Sequence, residues 1–546
     1  MNRRHLFWMA SWMALGLSAC TTIRPPGPAA PDTGRACAEW RWIGISRAGT
    51  RCPDVPGWTV RPLFPQIAPA QQREICVGDV KKPEEVASLE TIQELNRFCV
   101  YELANPKKGL KKVPFPPAVN DDLVRFDRDC AALAVATTPE PAPENWKSLA
   151  ERFLAQAGKP EEPLEINDRL GVRLAFLDTQ PTGMGAPGES GNSPHGHALA
   201  HIARELVCTS GPQEHCAAQI TTRLALPILE FDPKSPKHYK VDMDRGGFLG
   251  MQSDLAQAIR DEVDDWRETK AQRHLVLNLS MAWDGDLFSG LDAAQIGEMQ
   301  AGTQAIYRAL QYAAEFDVLV LAAAGNRKRE PCANTGPLLP AAWERGEARE
   351  ASCGRIRERQ PPLLYGVGGV RTDGTPLLNA RPGGMPPRAA YGEDAVVPSL
   401  DPAIPTAKLT GSSVATAVVS SIAAIVWDTR PELDSHGVME LLAESGDPLK
   451  KLKPDFWAGA SAPPSAPFPE VHRISLCRAL AAACQRNPPP YASCPVRDCK
   501  EWEPEEPASD GQDDVTILLG SCQPWLYPQP EVPPCATCVK DPPPYN

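Results

Sequence analysis

Leu409-Thr410-Gly411-Ser412-Ser413-Val414-Ala415-Thr416-Ala417-Val418-Val419-Ser420-Ser421-Ile422-Ala423-Ala424-Ile425-Val426-Trp427 decides the reading of this chain. A glycine turn delivers a serine onto the first turn of a helix that is apolar or small on every face. Such a helix belongs in the interior of a large protein, and it reads as too short to cross a bilayer. The N-terminus of a helix favours negative charge, through its unpaired N–H groups and its dipole. A serine hydroxyl buried beside those groups therefore suits chemistry in which an anion develops. From this stretch alone, a core helix that happens to begin Ser-Ser is the plain alternative.

Three upstream segments decide between them. Gly171-Val172-Arg173-Leu174-Ala175-Phe176-Leu177-Asp178-Thr179 is an apolar strand ending in an aspartate, Pro194-His195-Gly196-His197-Ala198-Leu199-Ala200-His201 opens a helix, and Asp317-Val318-Leu319-Val320-Leu321-Ala322-Ala323-Ala324-Gly325-Asn326 is an apolar strand ending Gly-Asn. With Gly411 to Ala417 they resemble, in order, the "V-A-V-I-D-[ST]-G", "H-G-T-H-V-A-G", "V-V-V-V-A-A-A-G-N" and "G-T-S-M-A-[TS]-P" motifs of the subtilisin-like serine proteases (subtilases). The order Asp, His, Ser is that of subtilisin and differs from the orders in chymotrypsin and the α/β-hydrolases.

The residue types suit that chemistry. An un-ionised serine is a poor nucleophile, so Ser413 needs a base within hydrogen-bond reach. His195 would take its proton and pass it to the leaving amine, and Asp178 would fix the imidazole tautomer and stabilise the imidazolium. Asn326 would donate its side-chain amide to the tetrahedral oxyanion, beside the backbone N–H of Ser413. The resemblance further implies that Ser280-Met281-Ala282 pairs with an extended peptide substrate and that Ala323-Ala324-Gly325 walls the specificity pocket. It implies no cofactor, and no calcium site is indicated.

The departures mark a divergent member. Gln180 stands where the family has glycine, Ala282 replaces a glycine, and Ala417 replaces a proline. His197 and His201 replace the family's threonine and glycine. The pair, at i and i+4 on a helix, could chelate a metal. Ala198, however, stands where the metalloprotease signature H-E-x-x-H needs glutamate, so packing or hydrogen bonding near the site is the expected role.

Independently of the resemblance, residues 168 to 448 alternate strand and helix. Leu275 to Ser280, Val318 to Ala324, Leu363 to Val370 and Ala395 to Val397 read as strands, and Gln304 to Ala314 as a helix with Ile306, Leu310 and Ala313 inward. Strands without polar residues belong to parallel sheets covered on both faces. The pattern predicts a doubly wound, mainly parallel α/β domain, with Asp178 and Asn326 at the carboxyl ends of strands, where such sheets build sites.

The chain has 546 residues and a formal net charge of -12 without a long basic run, which argues against nucleic-acid partners and polybasic membrane contact. Residues 1–19 read as an export signal, with Arg3-Arg4-His5 before the apolar run Leu6 to Leu17. Arg3-Arg4 leaves a twin-arginine route open beside the general one. Leu17-Ser18-Ala19-Cys20 resembles a bacterial lipobox, implying lipidation of Cys20. Thr21 after it resembles outer-membrane lipoproteins, so the expected location is the cell envelope, with the lipid as the membrane contact.

Residues 20–35 read as a Pro/Ala-rich tether, 36–165 as an N-terminal cysteine-containing region, 166–450 as the catalytic domain and 451–546 as a Pro/Cys-rich extension. Helices are expected over Pro83 to Phe98, Glu144 to Gly158 and Arg473 to Arg486, and a strand over Val515 to Leu519. The family often carries an inhibitory propeptide where 36–165 stands, but its cysteines suggest a stapled, permanent domain.

Of 17 cysteines, removal of Cys20 leaves an even set in a compartment that permits disulfides. Five precede the catalytic segment and seven follow it, so complete pairing requires a bridge out of each flank, expected to tie one flank to the other. Cys535-Ala536-Thr537-Cys538 could be half a zinc site or a redox pair, but no second C-x-x-C answers it. Two functions follow: a lipid-anchored serine endopeptidase acting on peptides or proteins, or a catalytically inactive subtilase-fold lipoprotein serving as an envelope interaction module.

Overall fold

Tryptophan and isoleucine alternate along the first strand, and each set packs on its own face, as the two-residue period of a strand requires. In a computed structural model of the chain, strands β1 (Cys37–Ser46), β2 (Trp58–Pro62), β3 (Phe98–Leu103) and β4 (Leu123–Ala134) lie in the order β2-β3-β1-β4, all antiparallel. Ile43, Ile45, Phe98 and Val100 face one core, with helix α1 (Leu89–Leu95). Trp40, Trp42, Trp58 and Tyr101 face another. The structure describes residues 37–47, 51–64, 89–104, 123–134, 140–141, 145–159, 171–179, 195–208, 215–230, 240–243, 245–247, 249–283, 293–326, 337–345, 362–381, 383–398, 406–449, 470–485 and 499.

The chain continues through β5 (Glu140–Pro141), α2 (Trp146–Gln156), β6 (Val172–Asp178), α3 (His195–Val207), β7 (Ala218–Leu224), β8 (Ile228–Glu230), β9 (Lys240–Val241), β10 (Leu249–Met251) and α4 (Gln252–Thr269). Then come β11 (His274–Leu279), β12 (Met281–Ala282), α5 (Ala301–Glu315), β13 (Leu319–Ala323), β14 (Tyr365–Val370), β15 (Arg388–Tyr391), β16 (Ala395–Pro398) and β17 (Thr406–Leu409). The last described elements are α6 (Ser412–Thr429), α7 (Ser435–Ser445), β18 (Asp447–Leu449), β19 (Val471–Arg473) and α8 (Leu476–Gln485).

The large sheet has the order β18-β19-β15-β14-β13-β11-β6-β7. Its neighbours are parallel, apart from the antiparallel edge pair β18–β19. Both faces are covered, which is why its central strands carry almost no polar residue. Val172, Leu174 and Phe176 of β6 pack under α3 and α6, while Ala175 and Leu177 pack under α4 and α5. From β6 the chain steps outward to β7, then crosses to the opposite side as β11. The switch point, where doubly wound sheets open a crevice, therefore lies between the carboxyl ends of β6 and β11.

The α5 helix holds Ile306, Leu310 and Ala313 in the core. The α6 helix, read as too short to span a bilayer, has 18 residues and a mean hydropathy of 1.3, sufficient by length and composition. Packing determines its place instead: 89% of that window is buried, under α3, α7 and α8 and over the sheet. It tolerates burial because internal hydroxyls bond within the helix: Thr416 to the Ser412 carbonyl, Ser421 to that of Ala417 and Thr429 to that of Ile425.

Two sequence expectations are corrected. Ala395 to Val397 forms a strand but lies outside the parallel sheet; β16, β17 and β5 make a separate antiparallel ribbon that leads into Gly411. Arg473 ends strand β19, and the helix starts only at Leu476. Three disulfides, Cys52–Cys99, Cys208–Cys216 and Cys477–Cys499, each stay within their own part of the chain, so the expected bridge between flanks is not one of these. The export signal, Cys20, the tether, Gln180, Cys535 to Cys538 and Val515 to Leu519 lie outside the described residues.

Candidate active site

The apolar strand β6 carries Asp178 to the switch point and buries it, 1% exposed. Its Oδ1 accepts the backbone N–H of Thr179 at 2.8 Å, and its Oδ2 lies 2.8 Å from Nδ1 of His195. Thr179 then fixes the helix bearing that histidine, its Oγ1 accepting the N–H of Gly196 at 2.8 Å. Gly196 is required there, since a Cβ would sit 2.3 Å from the Thr179 carbonyl oxygen.

The sheet register sets the other groups beside this pair. Parallel pairing runs to Phe176↔Asn278; two residues further, Asp178 is level with Ser280. The β11–β13 pairing runs to Leu279↔Ala322; one residue further, Ser280 is level with Ala323. Neighbouring strands lie about 4.8 Å apart, so Asp178, Ser280 and Ala323 form one short row across the strand ends. The α6 helix lands on it: the Ser413 hydroxyl donates to the Ser280 carbonyl at 3.4 Å. The α3 and α6 helices pack side by side on this face, each starting at the row.

Asn326 follows β13 and locks onto the same helix start. Its Oδ1 accepts the Ser412 N–H at 3.0 Å and the Ser412 hydroxyl at 3.0 Å, and that hydroxyl in turn accepts the Gly325 N–H at 3.2 Å. A backbone N–H can only donate, so the amide orientation is fixed by its partners. Nδ2 is left buried without a hydrogen-bond partner among the described residues. Buried amide donors are rarely left so, and this one belongs to the residue expected to meet an oxyanion.

Ala323, Ala282 and Leu338 form a small apolar cluster. Gly325 has φ +102°, in the region that favours glycine, and a Cβ there would meet Leu338 at 2.6 Å. The expected substrate-pairing residues are already paired. Met281 and Ala282 lie opposite Ala134 and Leu133 of β4, and Leu249, Gly250 and Met251 of β10 lie opposite Leu133, Ala132 and Ala131. The end of β4 thus runs between β10 and β12 and takes up both edges.

His197 and His201 lie on α3 after His195, and burial lowers the pKa of both. His201 lines a cavity of about 290 Å³ with Trp146, Phe153, Glu205 and Val397. Among the described residues, no three His, Cys, Asp or Glu side chains are grouped to hold a metal. Sequence reasoning missed the Asn278–Ser420 pair, in which the Asn278 amide donates to Ser420 of α6 at 3.1 Å and its Oδ1 accepts the Ser280 hydroxyl at 2.7 Å. A lone asparagine in the apolar run Leu275 to Leu279 was its signal.

No family model matches the sequence, and no curated protein matches it. Solved structures do match. The protease domain of PatA is 20% identical, covering 58% of this chain and 97% of its own, with TM-score 0.35. The prenylagaramide maturation protease PagA is 20% identical, with coverages of 62% and 99% and TM-score 0.34. The MycP3 protease of the type VII (ESX-3) secretion system is 19% identical, with coverages of 64% and 92% and TM-score 0.37.

Proposed function

We propose that this chain is a serine endopeptidase in which Ser413 is the nucleophile, His195 the general base and then acid, Asp178 the group orienting the imidazole, and Asn326 a donor to the oxyanion. The observation that carries this reading is the buried Asp178–His195 pair, 2.8 Å apart, in one row with the carbonyl that holds the Ser413 hydroxyl. The orphaned Nδ2 of Asn326 supplies what that chemistry needs next.

In the reaction, Ser413 Oγ attacks the peptide carbonyl as its proton passes to His195. The oxygen gains negative charge and is met by Asn326 Nδ2 and by the positive end of α6. The protonated imidazole, stabilised by Asp178, gives its proton to the departing amine. Water, deprotonated by the same imidazole, then releases the acyl group. The export signal and the Cys20 lipobox extend the proposal to a lipid-anchored envelope enzyme, checked by loss of metabolic fatty-acid labelling in Cys20→Ser.

The test is labelling by a fluorophosphonate, which needs no extended pairing to reach a serine, with and without limited proteolysis of the N-terminal region. Labelling at Ser413 that disappears in Ser413→Ala and His195→Ala is expected. No labelling under either condition overturns the reading and leaves a silent interaction module.

A further inference from the structure

The β11 and β13 strands pair only as far as Leu279↔Ala322. Beyond that register β11 gives way to β12, which pairs with β4 instead, while the chain after β13 runs on through Ala324 to Asn326. The space between Ser280–Ala282 and Ala323–Gly325 is a narrow apolar slot, where Ala282 and Ala323 meet and Leu338 packs against them. The segment bearing Leu338 ties the two walls together. Leu338 donates its N–H to the Ala324 carbonyl at 3.1 Å, and Leu339 exchanges two bonds of 2.9 Å with Trp283, the residue after β12.

The leucine side chain lies along Gly325. A Cβ added to that glycine would meet Leu338 Cδ1 at 2.6 Å, Cγ at 2.8 Å and Cβ at 3.2 Å. Glycine at 325 and alanine at 282 and 323 are what make room for it. An acyl group under attack has its carbon at the Ser413 hydroxyl, held at the Ser280 carbonyl, and its oxygen at the Asn326 amide. It therefore lies across the ends of β11 and β13, and its side chain has this slot to enter.

We propose that Leu338 sets the substrate class: by occupying the depth of the slot, it restricts the residue whose carbonyl is attacked to a small one, glycine or alanine. This rests on the reading of Ser413 and Asn326 as nucleophile and oxyanion donor. The segment that carries the leucine is anchored and does not yield easily to a larger side chain. The Leu338 carbonyl accepts the Ala342 N–H at 3.0 Å, and the Pro340 carbonyl accepts that of Trp343 at 2.9 Å. Trp343 and Trp283 are both buried and meet edge to face at 5.7 Å, with Tyr307 edge-on to Trp343 at 5.2 Å.

The experiment compares kcat/KM for the p-nitrophenyl esters of N-acetylalanine and N-acetylphenylalanine, each divided by its hydroxide rate. It uses the full chain, before and after limited proteolysis of the N-terminal region. These short acyl donors need the serine and the slot but not the β10 and β12 edges that β4 takes up. One methylene too many in an apolar pocket costs about 10–200-fold, so the alanine ester should be preferred by more than about a hundredfold. Leu338→Ala should raise the phenylalanine ester by at least about tenfold and leave the alanine ester nearly unchanged. Leu338→Val, a smaller cut, should move the ratio the same way by less. Both esters share a leaving group and a site, so their ratio does not depend on how much of a variant is folded. A wild-type chain that takes both esters alike, or variants that keep the wild-type ratio, overturns the assignment of Leu338 and leaves the Ser413 chemistry standing. Absence of any turnover that Ser413→Ala abolishes overturns the peptidase reading itself, and the role of Leu338 with it.

Discussion

Both hydrogen bonds from Ser412 to Asn326 end on one atom, Oδ1, each at 3.0 Å. With Oδ1 committed to Ser412, Nδ2 is the buried end of the amide left without a hydrogen-bond partner among the described residues. Asn326→Asp keeps the acceptor for Ser412 but loses the donor. It should lower kcat by about 10²–10³-fold while thermal unfolding changes little. Ser412→Ala, which leaves the backbone bond in place, should cost less than Asn326→Asp. Steady-state kinetics on both variants tests the ranking, and an equal or reversed order would remove the positioning role of Ser412.

Gly196 lets α3 start against the end of β6. An added Cβ would meet the Thr179 carbonyl oxygen at 2.3 Å and the Thr179 nitrogen at 2.9 Å, both backbone atoms that cannot rotate aside. Gly196→Ala must therefore shift the helix start and lengthen the Asp178–His195 contact, at about 1–3 kcal/mol of overpacking. Fluorophosphonate labelling should fall sharply in a chain that still melts cooperatively. Wild-type labelling would show that the helix start has room to move.

Those parts of the site that were legible in the sequence are the ones where local pattern and tertiary place agree. The β13 strand is apolar throughout and β6 is apolar apart from Arg173 and its last residue, Asp178, because both faces are buried, and Asn326 follows β13 at the sheet rim. The α6 helix announced its burial in the same way. Illegible were the contacts between distant segments. The β12 strand is two residues long, below any periodicity. Its pairing with β4 joins Met281 to Ala134, and nothing in Arg125 to Ala134 names that partner. Asp129, in a run with Arg125, Asp127 and Arg128, reads as one more solvated charge, yet the fold buries it completely.

Asn278 joins the sheet to α6, bonding Ser280 on one side and Ser420 on the other. Asn278 is 1% exposed, and both partners are 0% exposed. Removing the amide takes the donor from the buried Ser420 hydroxyl and leaves the Ser280 hydroxyl only its longer bond to the Ser413 carbonyl at 3.4 Å, and an unsatisfied buried group costs about 1–3 kcal/mol. Asn278→Ala should be destabilised by at least that in denaturant unfolding, whereas the double variant Asn278→Ala, Ser420→Ala should recover part of the loss. Strictly additive losses would mean that the two groups do not interact.

His274 opens β11 against α6, its ring stacked on Trp427 at 4.3 Å with an interplanar angle of 20°. Its Nε2 lies 3.1 Å from the Pro431 carbonyl oxygen. Burial holds the imidazole neutral and lowers its pKa to about 4; Arg273 adds to this and the Pro431 carbonyl opposes it. The folded value is below the ordinary one near ~6.5. The stabilising contribution is therefore fully present above ~6.5 and is lost as pH falls toward about 4. Unfolding midpoints should drop across that window, and His274→Gln, which cannot take up a proton, should flatten the decline while costing some stability at pH 8 through the lost stacking. An unchanged slope in His274→Gln would assign the acid sensitivity to other groups.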